Sequence, residues 1–311
     1  MKNYFLRRLL RLIPRIGVIS LIAFILVNLT PLDPASVALR ANDITLTDEI
    51  IQQTRLEFGL DRPFIERYGA WLWGILHFNF GYSFITRRPV SEEMLLALPI
   101  TLKLTALAAL FIVMLSLSIA LICAFFPNGR LDRGLRGIIF TLTAIPNYWL
   151  ALLLIWGLSV RLNLFPVSGI TAWNSYLLPA FSLSLGYTGL YVRLLRGAML
   201  NQQTQPYVLY AKARGLSRSR ILLRHVLPNA LTAALTGFAM SLPKLLAGSV
   251  VIENIFALPG LGRLCVQAIF NRDYPMIQAY ILFMAALFLT FNFLADLLRH
   301  RIDPRLNKAR A

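Results

Sequence analysis

Charged residues, cysteine and histidine are all scarce in this chain of 311 residues. Asp, Glu, Lys and Arg make up 14% of it and apolar residues 57%, whereas about a quarter of an ordinary soluble domain is charged. The two cysteines, Cys123 and Cys265, fall on opposite sides of the predicted membrane, which is too far apart for a disulfide. The three histidines are scattered, so no metal site is predicted. This composition is typical of a membrane protein.

Motifs that bind nucleotides or perform catalysis are also missing. No G-x-x-x-x-G-K-[ST] phosphate loop occurs, so the chain does not bind ATP in that way. No Ser/His/Asp or Cys/His group can be assembled, and we predict no catalytic residue, no cofactor and no enzyme activity. Acidic residues are nearly absent from the apolar runs, which argues against an alternative of another class, an ion-coupled secondary transporter or channel.

Six apolar segments are long enough to cross the membrane as helices, which takes about 20 residues for about 30 Å of hydrocarbon. The segments are continuous rather than alternating, which favours helices over barrel strands. The predicted spans are residues 13–29, 104–126, 138–160, 175–192, 230–252 and 276–297. The sequence therefore predicts an all-α, polytopic membrane protein with about six transmembrane helices.

The net charge of +17 reports membrane topology rather than nucleic-acid binding. If the N-terminus is cytoplasmic, the inner segments hold 20 of the 31 Lys and Arg residues and the outer segments hold 9. Nine of the 14 acidic residues fall in the first outer segment. This is the positive-inside distribution, and it places the basic residues against anionic lipid. We predict a multi-pass membrane protein with both termini in the cytoplasm and no nucleic-acid partner.

The topology divides the chain into four parts. Residues 1–30 are the cytoplasmic N-terminus and first span, and residues 31–100 form a subdomain on the outer side. Residues 101–298 form the transmembrane core, which includes a cytoplasmic loop at 201–228. The remaining residues, 299–311, form a cytoplasmic tail.

Two helices are predicted within the outer subdomain, at residues 47–58 and 63–78. The first is capped by Thr45 or Thr47 and closed by Gly59. Six aromatic residues lie between positions 71 and 84. They are explained either by packing on the spans or by contact with an extracellular substrate-delivery protein.

A basic segment at residues 207–228 lies between two apolar runs. Because it is too basic to cross the bilayer, it must lie on one face. Gly215 interrupts its helical pattern, and Pro228 restarts the chain toward the next run. An ordered, charged hairpin of this kind is the right shape to contact a soluble partner.

The last outer loop, at residues 253–275, is a candidate gate. Pro259-Gly260 and Gly262 are expected to impose a turn with unusual backbone freedom, and a short helix at 264–270 could follow. Loops with glycine hinges beside a pore can gate it, although a plain connection is an equal alternative. The candidate residues are Glu253, Pro259, Gly260, Gly262 and Asp273.

Lys244 is the one charge within the fifth predicted span. As an interfacial anchor, its ammonium would reach toward the outer surface. Pro243 weakens the helix and could instead turn Lys244 toward the transport pathway. There the ammonium would attract a carboxylate, and both interpretations remain open.

An ordered series of segments, covering essentially the whole chain, resembles the dipeptide, oligopeptide and nickel branch of ABC importer permeases. The series comprises NYFLRRLLRLIP at 3–14, PLDPA at 31–35, FGLDRPFIERYGAWLWGILHFNFGYSF at 58–84, RRPV at 87–90, LPITLKLT at 98–105, IPNYWLALLL at 145–154, YVRLLRGAML at 191–200 and VVIENIFALPGLGRLCVQAIFNRDYPMIQAY at 250–280. The spacing of Ala211, Gly215 and Leu227-Pro228 resembles the family's cytoplasmic loop signature, although Leu209 and Tyr210 stand where that signature begins Glu-Ala.

The resemblance implies a type I importer permease of the bacterial inner membrane. Its implied partners are a second homologous permease subunit, two ATPase subunits and an external solute-binding protein. YGAWLWGILHFNFG and AIFNRDYPMIQ look most like nickel-type permeases, which implies uptake of nickel or of a metal held by a metallophore, with di- and oligopeptides as the alternative substrates. The residues implied in ATPase coupling are Ala211, Gly215, Arg218, Leu227 and Pro228.

Overall fold

The computed structural model describes residues 12–29, 33–42 and 44–302, together with their side chains except those at 233, 236, 239, 240 and 298–302. The predicted cytoplasmic N-terminal segment up to residue 11 and the tail from residue 303 lie outside these residues. Within the described part, thirteen α-helices form. They are α1 (Leu12–Asn28), α2 (Pro34–Ala41), α3 (Asp48–Glu57), α4 (Phe64–Leu76), α5 (Val90–Phe125), α6 (Arg130–Ala144), α7 (Asn147–Leu154), α8 (Leu177–Gln203), α9 (Pro206–Ala213), α10 (Arg218–Ile221), α11 (Leu227–Ile255), α12 (Leu261–Asn271) and α13 (Tyr274–Ile302).

Each of the six predicted spans coincides with a helix or a helix pair, so the all-α prediction is confirmed. Within the described residues, Val90–Phe125 and Tyr274–Leu297 are long and apolar enough to cross a membrane. The pair Arg130–Ala144 and Asn147–Arg161 makes a third such span if it is counted as one. The predicted number of six is therefore matched by helix positions, but length and composition alone support two or three.

The third predicted span is not one continuous helix. It bends by 104° between α6 and α7, at Pro146. The residue before it, Ile145, is extended with ψ of 130°, because the proline ring disfavours the helical conformation at the preceding position. The carbonyl of Pro146 then accepts the Leu150 N–H at 3.1 Å and starts α7, which continues as a π-helical turn over Ile155–Arg161.

The described residues form two compact units. The first contains the chain up to Ile100 together with Pro259–Thr290, and the second contains Thr101–Leu258 and the chain from Phe291 onward. In the first unit, a buried cluster joins the start of α5 to α12 and α13. Its buried members are Val90, Met94, Ala97, Leu261, Ala268, Met276 and Ala279.

The two helices predicted at residues 47–58 and 63–78 are both present in the first unit, as α3 and α4. Thr47 caps α3 by accepting the Ile50 N–H, and Gly59 ends the helix region with φ of +63°. Some of the predicted aromatic group packs on the first span, since Trp71 lies 5.3 Å from Phe24 between ring centroids. Others, such as Phe78, remain largely exposed, so packing accounts for part of the group only.

In the second unit, α8 and α11 form the most extensive helix pair. The hydroxyl of Tyr191 on α8 donates to the carbonyl of Gly237 on α11 at 3.4 Å. The Tyr191 ring also packs edge to face on Phe238, with centroids 5.5 Å apart. This pair leads directly into the basic segment that joins the two helices.

Candidate functional site

The basic segment between α8 and α11 contains a helix, a left-handed turn and a second short helix. α9 begins at Pro206, whose fixed φ suits the first helical position. Gly215 follows with φ of +75°, and its N–H bonds to the carbonyl of Lys212 at 2.9 Å. No heavy atom of the described residues lies within 4 Å of where its Cβ would stand. The backbone conformation, and not crowding, therefore requires glycine here.

A buried cluster beneath α9 anchors the basic segment. Its members are Ala120, Ala124, Leu195, Met199, Val208, Ala211, Ile221, Leu222, Val226, Ala230 and Ala234. Ala211 is thus a buried packing residue at the base of the segment, and its part in ATPase coupling stays a prediction. Leu227 is half-buried, whereas Gly215, Arg218 and Pro228 are exposed.

The exposed face of the basic segment carries apolar side chains that sequence analysis did not assign to the site. Leu209 and Tyr210 are 60% and 67% exposed, and the guanidinium of Arg214 lies 5.8 Å from the Tyr210 ring centre. Together the two side chains form a small exposed apolar surface on this face of the segment. The sequence did carry a signal for this exposed pair, because Leu209 and Tyr210 replace the Glu-Ala that begins the family's loop signature.

A buried ion pair stands beside the basic segment and was missed by sequence analysis. Asp132, in the first turn of α6, is fully buried and accepts two hydrogen bonds from Arg196 of α8, at 2.8 and 2.7 Å. Asp132 also accepts the Asn128 N–H at 3.0 Å and lies 3.2 Å from Arg136. Both members of the pair lie outside the predicted spans. The hydrogen bond from Arg196 is the main cause that lowers the pKa of Asp132 to about 2.

Glu253 was predicted in the outer loop, but the structure places it inside α11. It is fully buried, and its Oε1 accepts hydrogen bonds from the hydroxyls of Thr101 at 2.7 Å and Ser249 at 3.1 Å. Its carbonyl accepts the Leu258 N–H at 2.9 Å. Glu253 therefore ties the end of α11 to α5 within the second unit, because a buried carboxylate needs such donors.

The two glycines of the candidate gate do not occupy unusual conformations, which corrects the sequence-based expectation. Gly260 has an extended backbone with φ of −94° and ψ of 178° and forms the N-cap of α12. Gly262 lies within α12 and is buried. The predicted short helix is present but begins earlier, at Leu261, since Gly260 is its N-cap and the Gly260 carbonyl accepts the Leu264 N–H at 3.0 Å. Two other residues of this region are left-handed, Ala257 with φ of +52° and Arg272, the C-cap of α12, with φ of +57°.

Asp273 lies at the junction between α12 and α13, in the first unit. It is 3% exposed, accepts a short hydrogen bond from the Ser83 hydroxyl, and accepts the Phe84 N–H at 3.1 Å. Its own carbonyl accepts the Ile277 N–H at 3.0 Å, which starts α13. Asp273 therefore holds the loop around residue 83 against the start of α13.

Lys244 lies on α11 directly after Pro243, and its side chain is exposed. Its carbonyl accepts a hydrogen bond from the Tyr187 hydroxyl of α8 at 3.0 Å. Gly248 leaves room for this contact, because a Cβ there would stand 3.1 Å from the Tyr187 oxygen. The exposed position is compatible with both interpretations of Lys244, so its role in the pathway stays a prediction.

Cysteine, histidine and carboxylate side chains do not gather into a metal centre in the described part of the chain. No group of three or more His, Cys, Asp or Glu residues there could hold a metal ion. Cys123 and Cys265 are both buried as free thiols.

Comparison with known proteins assigns the family. Residues 116–308 match the family described as the binding-protein-dependent transport system inner membrane component. Residues 1–105 match the N-terminal family of the same membrane components. Together the two matches cover nearly the whole chain.

Relatives in several bacteria align with the chain from end to end. The chain is 40% identical to the metal-staphylopine import system permease protein CntB of Staphylococcus aureus, over 99% of both chains. It is 37% identical to a putative peptide transport system permease protein of Brucella suis, over 97% of this chain and 98% of the relative. It is also 34% identical to the oligopeptide transport system permease protein AppB of Bacillus subtilis, over 98% and 99%.

The fold resembles solved importers. The MetNI methionine ABC transporter in an inward-facing conformation matches with a TM-score of 0.59 at 17% identity, over 68% of this chain and 96% of that one. This likeness shows the type I importer permease fold. The family and fold matches favour an importer permease over the alternative of an ion-coupled secondary transporter or channel. The chain belongs to the binding-protein-dependent transport system inner membrane component family and is the membrane-spanning permease subunit of an ABC importer.

Proposed function

We propose that this chain lines half of the transport pathway of an ATP-driven importer in the bacterial inner membrane. A second homologous permease subunit supplies the other half, two ATPase subunits bind on the cytoplasmic side, and an external solute-binding protein delivers the substrate. ATP hydrolysis then takes place on the separate subunits, since the sequence has no phosphate loop of its own. Both termini lie in the cytoplasm in this arrangement, in line with the positive-inside distribution.

The basic segment is the proposed dock for the ATPase. Its buried base packs on α5 and α8, so a displacement of α9 is transmitted to two long helices. Its upper face offers Leu209 and Tyr210 beside exposed basic residues. Closure of the ATPase subunits on ATP would draw the segments of the two permease subunits together and open the pathway outward. By linkage, a loaded binding protein must favour the same state.

The outer gate is proposed to lie at the loop and helix from Pro259 to Asp273. Gly260 and Gly262 take ordinary conformations at the start of α12, and in this proposal α12 moves as a unit. The Asp273–Ser83 contact fixes one end of that unit. A change at this contact would alter how the outer loop around residue 83 sits on α13.

The proposed substrate is a metal ion, nickel in the first instance, carried by a small organic chelator. The observation that carries this proposal is the 40% identity to a metal-staphylopine import permease over 99% of both chains. A metal that arrives fully chelated needs no ligands from the permease. Di- or oligopeptides are the second candidate, favoured by the 37% and 34% identity to permeases named for peptide transport.

A competition experiment separates the two substrates. Cells that carry the complete importer are supplied with radioactive nickel and a metallophore, or with a radioactive dipeptide, and uptake is compared with cells that lack this chain. We expect chain-dependent uptake of the nickel complex, which an excess of unlabelled dipeptide leaves unchanged. Chain-dependent uptake of the dipeptide alone would assign the protein to peptide import.

A further inference from the structure

The first compact unit contains a cavity of about 980 Å³ on the predicted outer side. Its lining comes from α1, α2, α3 and α4, from the loop at residues 81–87, and from the start of α13. Sites for small molecules typically measure about 300–1,000 Å³. This cavity lies at the upper end of that range. Its lining includes Ser83 and Phe84, which contact Asp273 of the proposed gate, but the coupling and gating functions described above assign no ligand to it.

Counted over the described residues, the lining of the cavity carries a net charge of +2. It contains Arg62, Arg67 and Arg87 against one carboxylate, Glu57. Guanidinium groups recognise carboxylates through paired, charge-assisted hydrogen bonds. The charge alone therefore favours an anionic ligand.

The partners of these arginines strengthen the argument. Arg67 donates to the Asn28 side-chain oxygen and Arg87 to the Asn42 side-chain oxygen, each at 2.6 Å. No carboxylate of the described residues lies within salt-bridge distance of either. Amide oxygens orient a guanidinium without neutralising it, so both charges stay available to a ligand.

Arg55, an arginine of the same unit outside the cavity, differs from Arg67 and Arg87 in its partners. Arg55 does not line the cavity, and it contacts two carboxylates, Asp33 and Asp61, at 3.3 Å each. Burial is the main cause that lowers the pKa of Arg67, and the charge of Arg55 lowers it further, whereas the charge of Asp61 acts in the opposite direction. The unit thus contains carboxylates that pair with an arginine, but Asp33 and Asp61 form their salt bridges with Arg55 and not with the described arginines of the cavity.

The remaining walls suit an organic ligand. Phe58 and Phe84 are stacked with ring centroids 5.3 Å apart, and Phe24 and Trp71 line another side. Arg87 adopts a left-handed backbone with φ of +56°, a conformation that costs a non-glycine residue energy and recurs where side chains clamp ligands. Apolar walls with a few oriented charges are typical of small-molecule sites.

We propose that this cavity binds a small solute that bears several carboxylates, such as a metal ion enclosed by a polycarboxylate chelator. Arg62, Arg67 and Arg87 hold the carboxylates, and the aromatic walls contact the carbon skeleton. The described residues supply no group of metal ligands, so the solute keeps its own coordination sphere. The ligand class rests on the proposed function, whereas the site itself rests on the charge and shape of the cavity.

Direct binding tests the site without transport. The assembled importer is placed in nanodiscs of phosphatidylcholine without ATP or binding protein, and the radioactive nickel–EDTA dianion is offered by equilibrium dialysis. We expect Arg62→Gln and Arg87→Gln each to weaken binding about tenfold, the effect of losing one charge-assisted hydrogen bond. The neutral nickel complex with two histidines should bind much more weakly than the dianion.

Arg88→Gln is the matched control. It is the neighbouring exposed arginine of the same loop, and it does not line the cavity. The proposal predicts that this variant binds nickel–EDTA as the unchanged protein does. Equal weakening by Arg87→Gln and Arg88→Gln, no effect of Arg62→Gln and Arg87→Gln, or no binding at all would overturn it.

Two further arms separate the other sources of negative charge. Nanodiscs that contain phosphatidylglycerol test whether a lipid headgroup fills the site, and the unloaded binding protein tests whether an acidic protein surface does. If either abolishes nickel–EDTA binding through these arginines, the solute proposal is wrong. Uptake by the same variants is measured separately. If the unchanged importer takes up no metal complex, the proposed function is refuted, but the binding result still stands.

Discussion

The basic segment at residues 207–228 and the region from Pro259 to Asp273, which is predicted to lie on the outer side, are built in opposite ways. The basic segment holds its glycine, Gly215, in a left-handed turn with open space around it. The outer region holds Gly260 and Gly262 in ordinary conformations within a buried corner. Glycine therefore has different roles in the two regions. At Gly215 the left-handed backbone conformation requires glycine, whereas Gly260 and Gly262 have backbone conformations that other residues also adopt.

The two regions also differ in how a buried aspartate anchors them. Asp132, beside the basic segment, is neutralised by the two hydrogen bonds from Arg196. Asp273, in the outer region, is held by the neutral donors of Ser83 and Phe84. Removing a charge from an ion pair leaves a second charge without its partner, whereas removing it from neutral donors does not. Asp132 should therefore be harder to replace than Asp273.

Asp132→Ala should have the largest effect on stability. It leaves the guanidinium of Arg196, 15% exposed, without its bidentate partner, and breaking a buried pair from one side costs about 3 kcal/mol. Thermal unfolding of the purified subunit in detergent would measure the loss. Arg136→Gln is the control, since Arg136 contacts the same carboxylate from a surface position and should change stability by less than about 1 kcal/mol. Equal losses for the two variants would remove the distinction.

The same anchor predicts a dependence on pH. The Asp132 pKa, lowered from 3.8 to about 2, means that the carboxylate contributes stability above about pH 4. That contribution is lost as the pH falls toward 2, because protons then bind the unfolded state more readily. The stability advantage of the unchanged protein over Asp132→Asn should shrink across this window. A constant difference between pH 5 and pH 2 would contradict the prediction.

Asp273→Ala should have the next largest effect. It leaves the Phe84 N–H and the Ser83 hydroxyl without their acceptor, at a cost of about 2 kcal/mol. Asp273→Asn, which keeps an acceptor oxygen, should lose less. Limited proteolysis near residue 83 would measure the local loosening, and coupling of ATP hydrolysis to uptake would test the gate. If Asp273→Ala is cut no faster than the unchanged protein, the contact does not hold this loop.

Gly215→Val should act locally at the basic segment. A left-handed backbone costs a residue with a Cβ about 1–2 kcal/mol, and a branched side chain is the least suited to it. Gly215→Asn is the matched control, because asparagine tolerates this conformation and the space around the position is open. We expect Gly215→Val to lose co-purification with the ATPase and Gly215→Asn to retain it. Similar retention by both variants would mean that the turn does not shape the dock.

The local elements of this fold could be predicted from the sequence, whereas its long-range contacts could not. Thr47 and Gly59 were sufficient to place α3 within a residue of its observed ends, because caps are local signals. Pro146 also carried a signal for the bend between α6 and α7, but the apolar run around it favoured one straight span. The Asp132–Arg196 pair joins positions 64 residues apart, and no spacing rule within one segment predicts such a contact. The gate glycines misled because glycine is permitted, and not obliged, to take unusual conformations.

Lys244→Met should have the smallest effect on stability and a selective effect on transport. The exposed ammonium has no packing role in α11, since the hydrogen bond from Tyr187 goes to the backbone carbonyl and survives the substitution. If Lys244 faces the pathway, Lys244→Met lowers uptake of an anionic metal chelate at unchanged protein level, and Lys244→Arg retains more uptake than Lys244→Met because it keeps the charge. Tyr187→Phe serves as the control, because it removes the contact with α11 and leaves the ammonium in place. Equal uptake by Lys244→Met and the unchanged protein, at matched expression, would leave Lys244 as an interfacial anchor.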